Sequence, residues 1–331
     1  MKKDSLIQNN INTDADASIK GLYLQKLRVA KYLLKAVLED KKAVYCTLEY
    51  VDDVIEIDMD SEITSITTEQ NKNYSTPFSI NSEEIKNSIR IFFDNWRKVE
   101  EDENISFIFY TNTGISKEKK IGILKELDID LPDVPIINLL IEKQYDEAFP
   151  VILPVFKEYY IQQHNKHINK NDNAVDISYY EELINSIDKE KWKKFFGLIE
   201  WKFGQEDEEE LTNTLKMYIR YVCDKLDVEH KYVDNIFICL IGLIDYKSLK
   251  KNFLDKMVHV AEIKLLFLEW QRDIKLKDKL AVQNNDEGLD PIYEKWDEVN
   301  NNDDIRNLEK KYLMYVMILM KMKLYICRRC L

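Results

Sequence analysis

Glycine and proline are scarce in this chain, with 7 and 6 residues in 331, and nowhere do the glycines gather into the phosphate-cradling loops of nucleotide-driven motors or dinucleotide-binding enzymes. Histidine is rarer still at 4. His164 and His167 have no partnering ligands nearby in sequence, so they do not read as a metal site. The five cysteines fall at 46, 223, 239, 327 and 330. Such scatter suits a reducing compartment, and Cys327 and Cys330 form a single C-x-x-C with no second pair, which argues against zinc. No apolar run reaches membrane-spanning length, and Met1-Lys2-Lys3 leads into polar residues instead of the apolar core of a signal peptide. A cytoplasmic location is expected. No repeat of fixed length is visible, which excludes a regular solenoid.

Positive charge is also in short supply. The formal net charge is −12, whereas a protein that coats nucleic acid neutralises phosphates with Lys and Arg. Residues 1–120 carry 17 Lys or Arg against 21 Asp or Glu, and the larger deficit lies beyond them, where Glu206 to Glu210 is unbroken acid. An enzyme that acts on DNA only when a partner or self-association brings it there remains compatible with this balance.

The most informative stretch runs from Tyr45 to Tyr74. Residues 42–57 are rich in β-branched and aromatic side chains in rough alternation, which predicts a strand, or two joined by a bend. On a regular strand Glu49, Val51 and Asp53 share a face. A second strand, Ile63 to Gln70, leads into Glu69-Gln70-Asn71-Lys72, where Gln70 and Lys72 again share a face. If the two strands are neighbours, Asp53, Gln70 and Lys72 meet. That set suits phosphodiester hydrolysis: Mg²⁺ takes one or two carboxylates and keeps several waters, and a cation beside it orients the attacking water or stabilises developing charge. Asp53 would supply charge, the Gln70 side chain and the Asn71 backbone carbonyl neutral oxygens, and Lys72 the cation. Solvated strand-end residues are the competing reading.

The run Gly21-Leu22-Tyr23-Leu24-Gln25, then Leu48-Glu49-Tyr50-Val51-Asp52-Asp53-Val54, then Gln70-Asn71-Lys72, resembles the PD-(D/E)xK nuclease domain of bacterial anti-phage effectors. The likeness extends through Phe78 to Ser82, Asn95-Trp96, and Phe107 to Asn112 with Ile115 to Glu118, covering about residues 18–120. The group includes the double-stranded-DNA endonuclease domains of CBASS effectors, HerA-associated nucleases and the nuclease subunit of Lamassu systems. The resemblance implies catalytic Asp53, Gln70 and Lys72, with Glu49 as a supporting acid and Gln25 as a further supporting residue. The implied metal ligands are Asp53, Gln70, Asn71 and Glu49, holding Mg²⁺ or alternatively Mn²⁺. Gln70 stands where most of the superfamily has an acid, and a bulge would offer Glu69 instead; the choice between them is open at this stage.

The expected architecture is α/β: a restriction-endonuclease-like domain at residues 18–121, with a central mixed sheet flanked by helices, followed by an all-α assembly and regulatory domain at 122–331. Residues 1–17 are expected to be flexible. The first part reads helix (18–39), strands (43–71), helix (82–98) and strand (105–112). The first helix carries apolar residues at 23, 27, 30, 34 and 37. Lys86, Arg90 and Arg97 on the second read as a solvated basic face or as phosphate contacts. Beyond Pro135, helical periodicity covers 137–147, 151–165, 177–186, 189–201, 208–228, 230–247, 250–274, 290–300 and 303–327. The tryptophans at 192, 201, 270 and 296 read as core or interface anchors. Leu313 to Tyr325 is apolar nearly all round, as in a helix buried centrally or held against another protein.

By resemblance, the helical second half points toward the Lamassu arrangement. The implied partners are double-stranded DNA, an SMC-like ATPase and a small accessory subunit, with a homo-oligomer forming on activation and no membrane. The alternatives are the nuclease of a HerA-type ATPase system and a catalytically inactive scaffold that binds the ATPase.

Overall fold

Three strands follow one another within the β-branched and aromatic stretch that the sequence marks. β1 (Val44–Thr47), β2 (Val54–Asp58) and β3 (Ser65–Lys72) form an antiparallel meander. In this computed structural model residues 16–48, 54–60, 64–99, 104–168 and 177–282 are described, with side chains over 20–48, 54–60, 64–99, 104–166 and 177–271. Helix α1 (Asp16–Leu38) precedes the meander. Helix α2 (Glu83–Lys98) follows it and carries the chain over to β4 (Ile105–Thr111), which pairs parallel to β3. A parallel pair needs such a crossover. Acids at Glu83 and Glu84 and basic residues at Arg97 and Lys98 complement the α2 dipole. These elements match the expected order and, within one to three residues, the expected bounds.

The rest of the described chain adds helices α3 (Ile123–Glu126), α4 (Ile136–Ile141), α5 (Tyr145–Ile168), α6 (Ile177–Asn185), α7 (Lys189–Gly197), α8 (Glu208–Leu226), α9 (Val233–Ser248), α10 (Phe253–Lys256) and α11 (Val260–Val282). It also adds two strands that helical periodicity did not foresee. The segment 189–201, expected as one helix, stops at Gly197, and β5 (Ile199–Lys202) joins the sheet parallel to β4. The segment 250–274 is broken by β6 (Val258–His259), which pairs antiparallel with β1. Strands of two to four residues are too short to establish a period of two. The six-stranded mixed sheet runs β5-β4-β3-β2-β1-β6. Among the described residues the region after residue 122 is thus mainly helical, as expected, apart from these two edge strands.

The sheet separates two cores. Phe107 and Phe109 of β4 face a cluster with Phe92, Phe93 and Trp96 of α2, Phe156 of α5, and Trp192 and Phe195 of α7. Phe93 and Trp192 stack there with centroids 5.3 Å apart. Ile108 and Tyr110, on the alternate face, meet α1, α8, α9 and α11. Helix α1 is therefore covered on both sides. Leu24, Leu27, Val29, Ala30, Leu33, Leu34, Ala36 and Val37 are all buried, a wider apolar surface than the single stripe expected. Among the tryptophans, Trp192 and Trp201 are buried and Trp270 packs on Tyr232; Trp296, the segments 290–300 and 303–327, and Leu313 to Tyr325 lie outside the described residues. Among the described residues no helix is long and apolar enough to cross a membrane.

Candidate functional site

Alternation along β3 decides which of its residues meet. Glu69 is in register with Ile108 and Gln70 with Phe109, so Glu69 faces α1 while Gln70 faces the α2 side. Lys72, two residues on, shares the Gln70 face. Its Nζ donates to Gln70 Oε1 at 3.2 Å. Gln70 is buried and Lys72 half-buried. The pair expected from sequence is thus assembled at the C-terminal end of β3. Asn71 is buried and in register with Tyr110, on the α1 side. Gln25 belongs to α1, which packs against the face opposite Gln70. Asp53 and Glu49 lie outside the described residues; Asp53 immediately precedes Val54, whose partner across the β2 to β3 ladder is Glu69.

Behind the pair sits a charge network that sequence reading missed. Glu69 is fully buried and receives both Arg28 Nε at 2.7 Å and Nη2 at 2.6 Å. Tyr32 Oη donates to the same carboxylate at 2.6 Å, and the Arg28 guanidinium lies 4.1 Å from the Tyr110 ring centroid. Burial alone would lower the Arg28 pKa, but the charge of Glu69 and its hydrogen bonds drive it up. Burial and the charge of Glu69 likewise push the Tyr32 hydroxyl up, so it stays a donor. Glu69, fully engaged on the α1 face, does not share a surface with Lys72. Arg28 lies off the apolar stripe expected on α1, so no local pattern marked it as buried, and nothing in the sequence named its partner 41 residues away.

Further along the same face Glu56 of β2 is partly buried. Desolvation pushes its carboxyl from 4.5 to about 7, with Asp58 and Glu69 adding to the rise and Lys41 and Lys35 opposing it. The folded chain therefore holds a proton between these values that the unfolded chain has released. The stabilisation is complete below 4.5 and is lost as pH climbs through about 7. Glu56→Gln removes the titration, so its urea midpoint should gain on that of the unsubstituted protein between pH 5 and 8. A constant gap across that range would contradict this account.

The basic residues of α2 have partners within the protein. Arg90 Nη1 reaches Asp94 Oδ2 at 3.1 Å, and Lys86 pairs with Glu83 at 3.3 Å. Trp96 is core. A magnesium ion accepts a neutral amide oxygen beside one or two carboxylates. Among the described residues the end of β3 presents the Gln70 amide oxygen, and no group of three His, Cys, Asp or Glu that could hold a metal ion is present. The Cys46 and Cys223 thiols are buried and Cys239 is exposed, all three unbonded.

No protein-family model matches the chain, and no curated protein does. Among solved structures, it is similar to the Cap4 SAVED/CARF-domain containing receptor of Acinetobacter baumannii with the cyclic trinucleotide 2'3'3'-cAAA. That match has 15% identity and a TM-score of 0.42, over 76% of this chain and 45% of that one. A further structure of the same receptor gives 16% and 0.41, over 75% and 47%. The Moraxella osloensis Cap4 receptor gives 13% and 0.39, over 73% and 45%. The aligned stretch spans less than half the length of these receptors.

Proposed function

We propose that this chain is a metal-dependent endonuclease that hydrolyses phosphodiester bonds of double-stranded DNA, as the DNA-destroying subunit of a bacterial antiviral defence complex. The observation that carries the reading is the Lys72 to Gln70 contact at the C-terminal end of β3, one ladder position beyond the Val54 to Glu69 pair. It fits the Gln-x-Lys of the PD-(D/E)xK resemblance, as does a central mixed sheet flanked by helices.

In this reading Asp53, Gln70, Glu49 and the Asn71 carbonyl would hold Mg²⁺, which would supply Lewis-acid polarisation of the phosphate and lower the pKa of a water bound to it. Lys72 aims the water oxygen at phosphorus and stabilises the charge that builds there. The new P–O bond forms as one ester P–O bond breaks, and the departing sugar oxygen takes up a proton. Gln70 receives a hydrogen bond from the Lys72 amine and so fixes its direction. Glu69, held by Arg28, anchors β3 from behind.

A net charge of −12 makes delivery to DNA the task of a partner, in this reading an SMC-like ATPase with an accessory subunit, or of self-association. Cleavage should then rise faster than linearly with enzyme concentration, and strict proportionality where sedimentation finds only monomer would remove the self-association arm. The test of the reading is nicking of supercoiled plasmid by the purified chain, alone and with its neighbouring gene products, in Mg²⁺ and in EDTA. Metal-dependent cleavage is expected; its absence in every combination, with partner binding intact, would leave the scaffold reading instead.

A further inference from the structure

We propose that residues 204–208, the segment entering α8, are positioning residues for Lys72, with the Glu208 carboxylate as the principal contact. This rests on the nuclease reading above, because it assigns Lys72 a task whose geometry must be held.

Among the described residues, the ladder between β2 and β3 stops at Val54 and Glu69, whereas β3 continues through Lys72 against β4. The end of β3 that bears Gln70 and Lys72 pairs with β4, and β4 itself ends at Thr111, the register partner of Lys72. The segment after β5 fastens both ends. Gly204 N–H donates to the Thr113 carbonyl at 2.8 Å, and Gln205 N–H to the Thr111 carbonyl at 3.0 Å. Gly204 has φ +61°, a left-handed conformation that glycine takes without a Cβ penalty and that turns the chain from β5 toward β3. Next, the Glu206 carbonyl accepts from Tyr110 Oη at 3.0 Å, and its carboxylate receives Lys31 Nζ at 2.5 Å together with Thr214 Oγ1. Partial burial would raise the Glu206 pKa, but those two hydrogen bonds and the Lys31 charge bring it below the usual carboxylate value. Finally, Asn73 Nδ2 donates to Glu208 Oε2 at 2.6 Å. Asn73 is the residue after Lys72.

The rigidity of this strap comes from α8. Asp207 caps the helix, accepting from the backbone of Glu209 and Glu210 in a reciprocal capping box with the Glu210 side chain. Thr212 Oγ1 donates to the Glu208 carbonyl at 2.7 Å. Three acids in the first turn sit where the helix dipole favours them. The acidic run thus ties a helix of the second half to the strand end that bears the candidate lysine.

Glu208→Ala removes the acceptor of Asn73, and Glu208→Gln keeps an acceptor oxygen while removing the charge. Single-turnover cleavage by Glu208→Ala in Mg²⁺ should fall about tenfold, since displacements of an ångström can cost more, with KM for DNA within about twofold. Glu208→Gln should recover most of the rate. Amide hydrogen exchange at Asn71 to Asn73 should accelerate in Glu208→Ala and not in Glu208→Gln, with Phe107 and Phe109 unchanged in both. A change in KM alone, equal in both variants, would mean that Glu208 acts only by repelling DNA and would overturn the proposal. So would faster exchange with an unaltered rate, which makes the strap structural only, or an unaltered rate and unaltered exchange. If the unsubstituted chain cleaves nothing in any combination, the nuclease reading fails, while the exchange measurement still judges the strap.

Discussion

Lys72→Ala is expected to lower Mg²⁺-dependent DNA cleavage by about 10²–10⁴-fold, the range for removing a positioned proton-transfer or charge-stabilising group. The side chain ends a strand, is half-buried, and contacts Gln70 Oε1 at 3.2 Å. The side chain lies at a strand end outside both hydrophobic cores, so the urea midpoint should move little. Lys72→Arg should restore only part of the rate, because a planar guanidinium cannot reproduce the point-like ammonium beside the Gln70 oxygen. Asp53→Ala should lose activity to a similar degree if its carboxylate holds the metal. Undiminished cleavage by the Lys72 and Asp53 variants together would sink the assignment of this site.

Arg28→Met is expected to cost about 3–5 kcal/mol of stability, the usual penalty for removing one partner of a buried pair and leaving the other charge uncompensated. Glu69 is 0% exposed and Arg28 5%, and the two hydrogen bonds between them leave no path for water to replace the guanidinium. The methionine would fill most of the aliphatic volume, so the loss reports the stranded carboxylate more than a cavity. Arg28→Met combined with Glu69→Met should recover most of the loss, because no charge is then left in the core. Urea unfolding of the two variants checks this, and a single variant as stable as the double would show that the pair contributes nothing through its charge. Cleavage by a folded double variant would also report whether β3 needs the anchor for its Gln70 face to work.

Sequence alone determined the elements whose pattern is local and long enough to repeat. The alternation through residues 42–57 and the short strand pattern at 63–70 predicted strands, and β1, β2 and β3 lie there to within two residues. The helix expected over 82–98 is α2, with acids in its first turn. The same alternation put Gln70 and Lys72 on one face, and the structure brings them into contact. That inference needed only the period of two that every strand obeys.

What tertiary structure decided is what depends on distant partners. Whether Gln70 or Glu69 accompanies Lys72 hinged on the pleat being regular and on Arg28 taking Glu69 from the other face. Those residues are 41 apart, and no local pattern encodes their meeting. β5 and β6 exist because β4 and β1 offered free edges; four and two residues carry no period of their own. The burial of α1 on the side away from the sheet required α8, α9 and α11 to cover it. The acids at 206–208 were legible as charge, but their role is set by Lys31, Tyr110 and Asn73, which folding alone delivers to them. Periodicity is written along the chain, whereas charge pairing and edge completion are written across it.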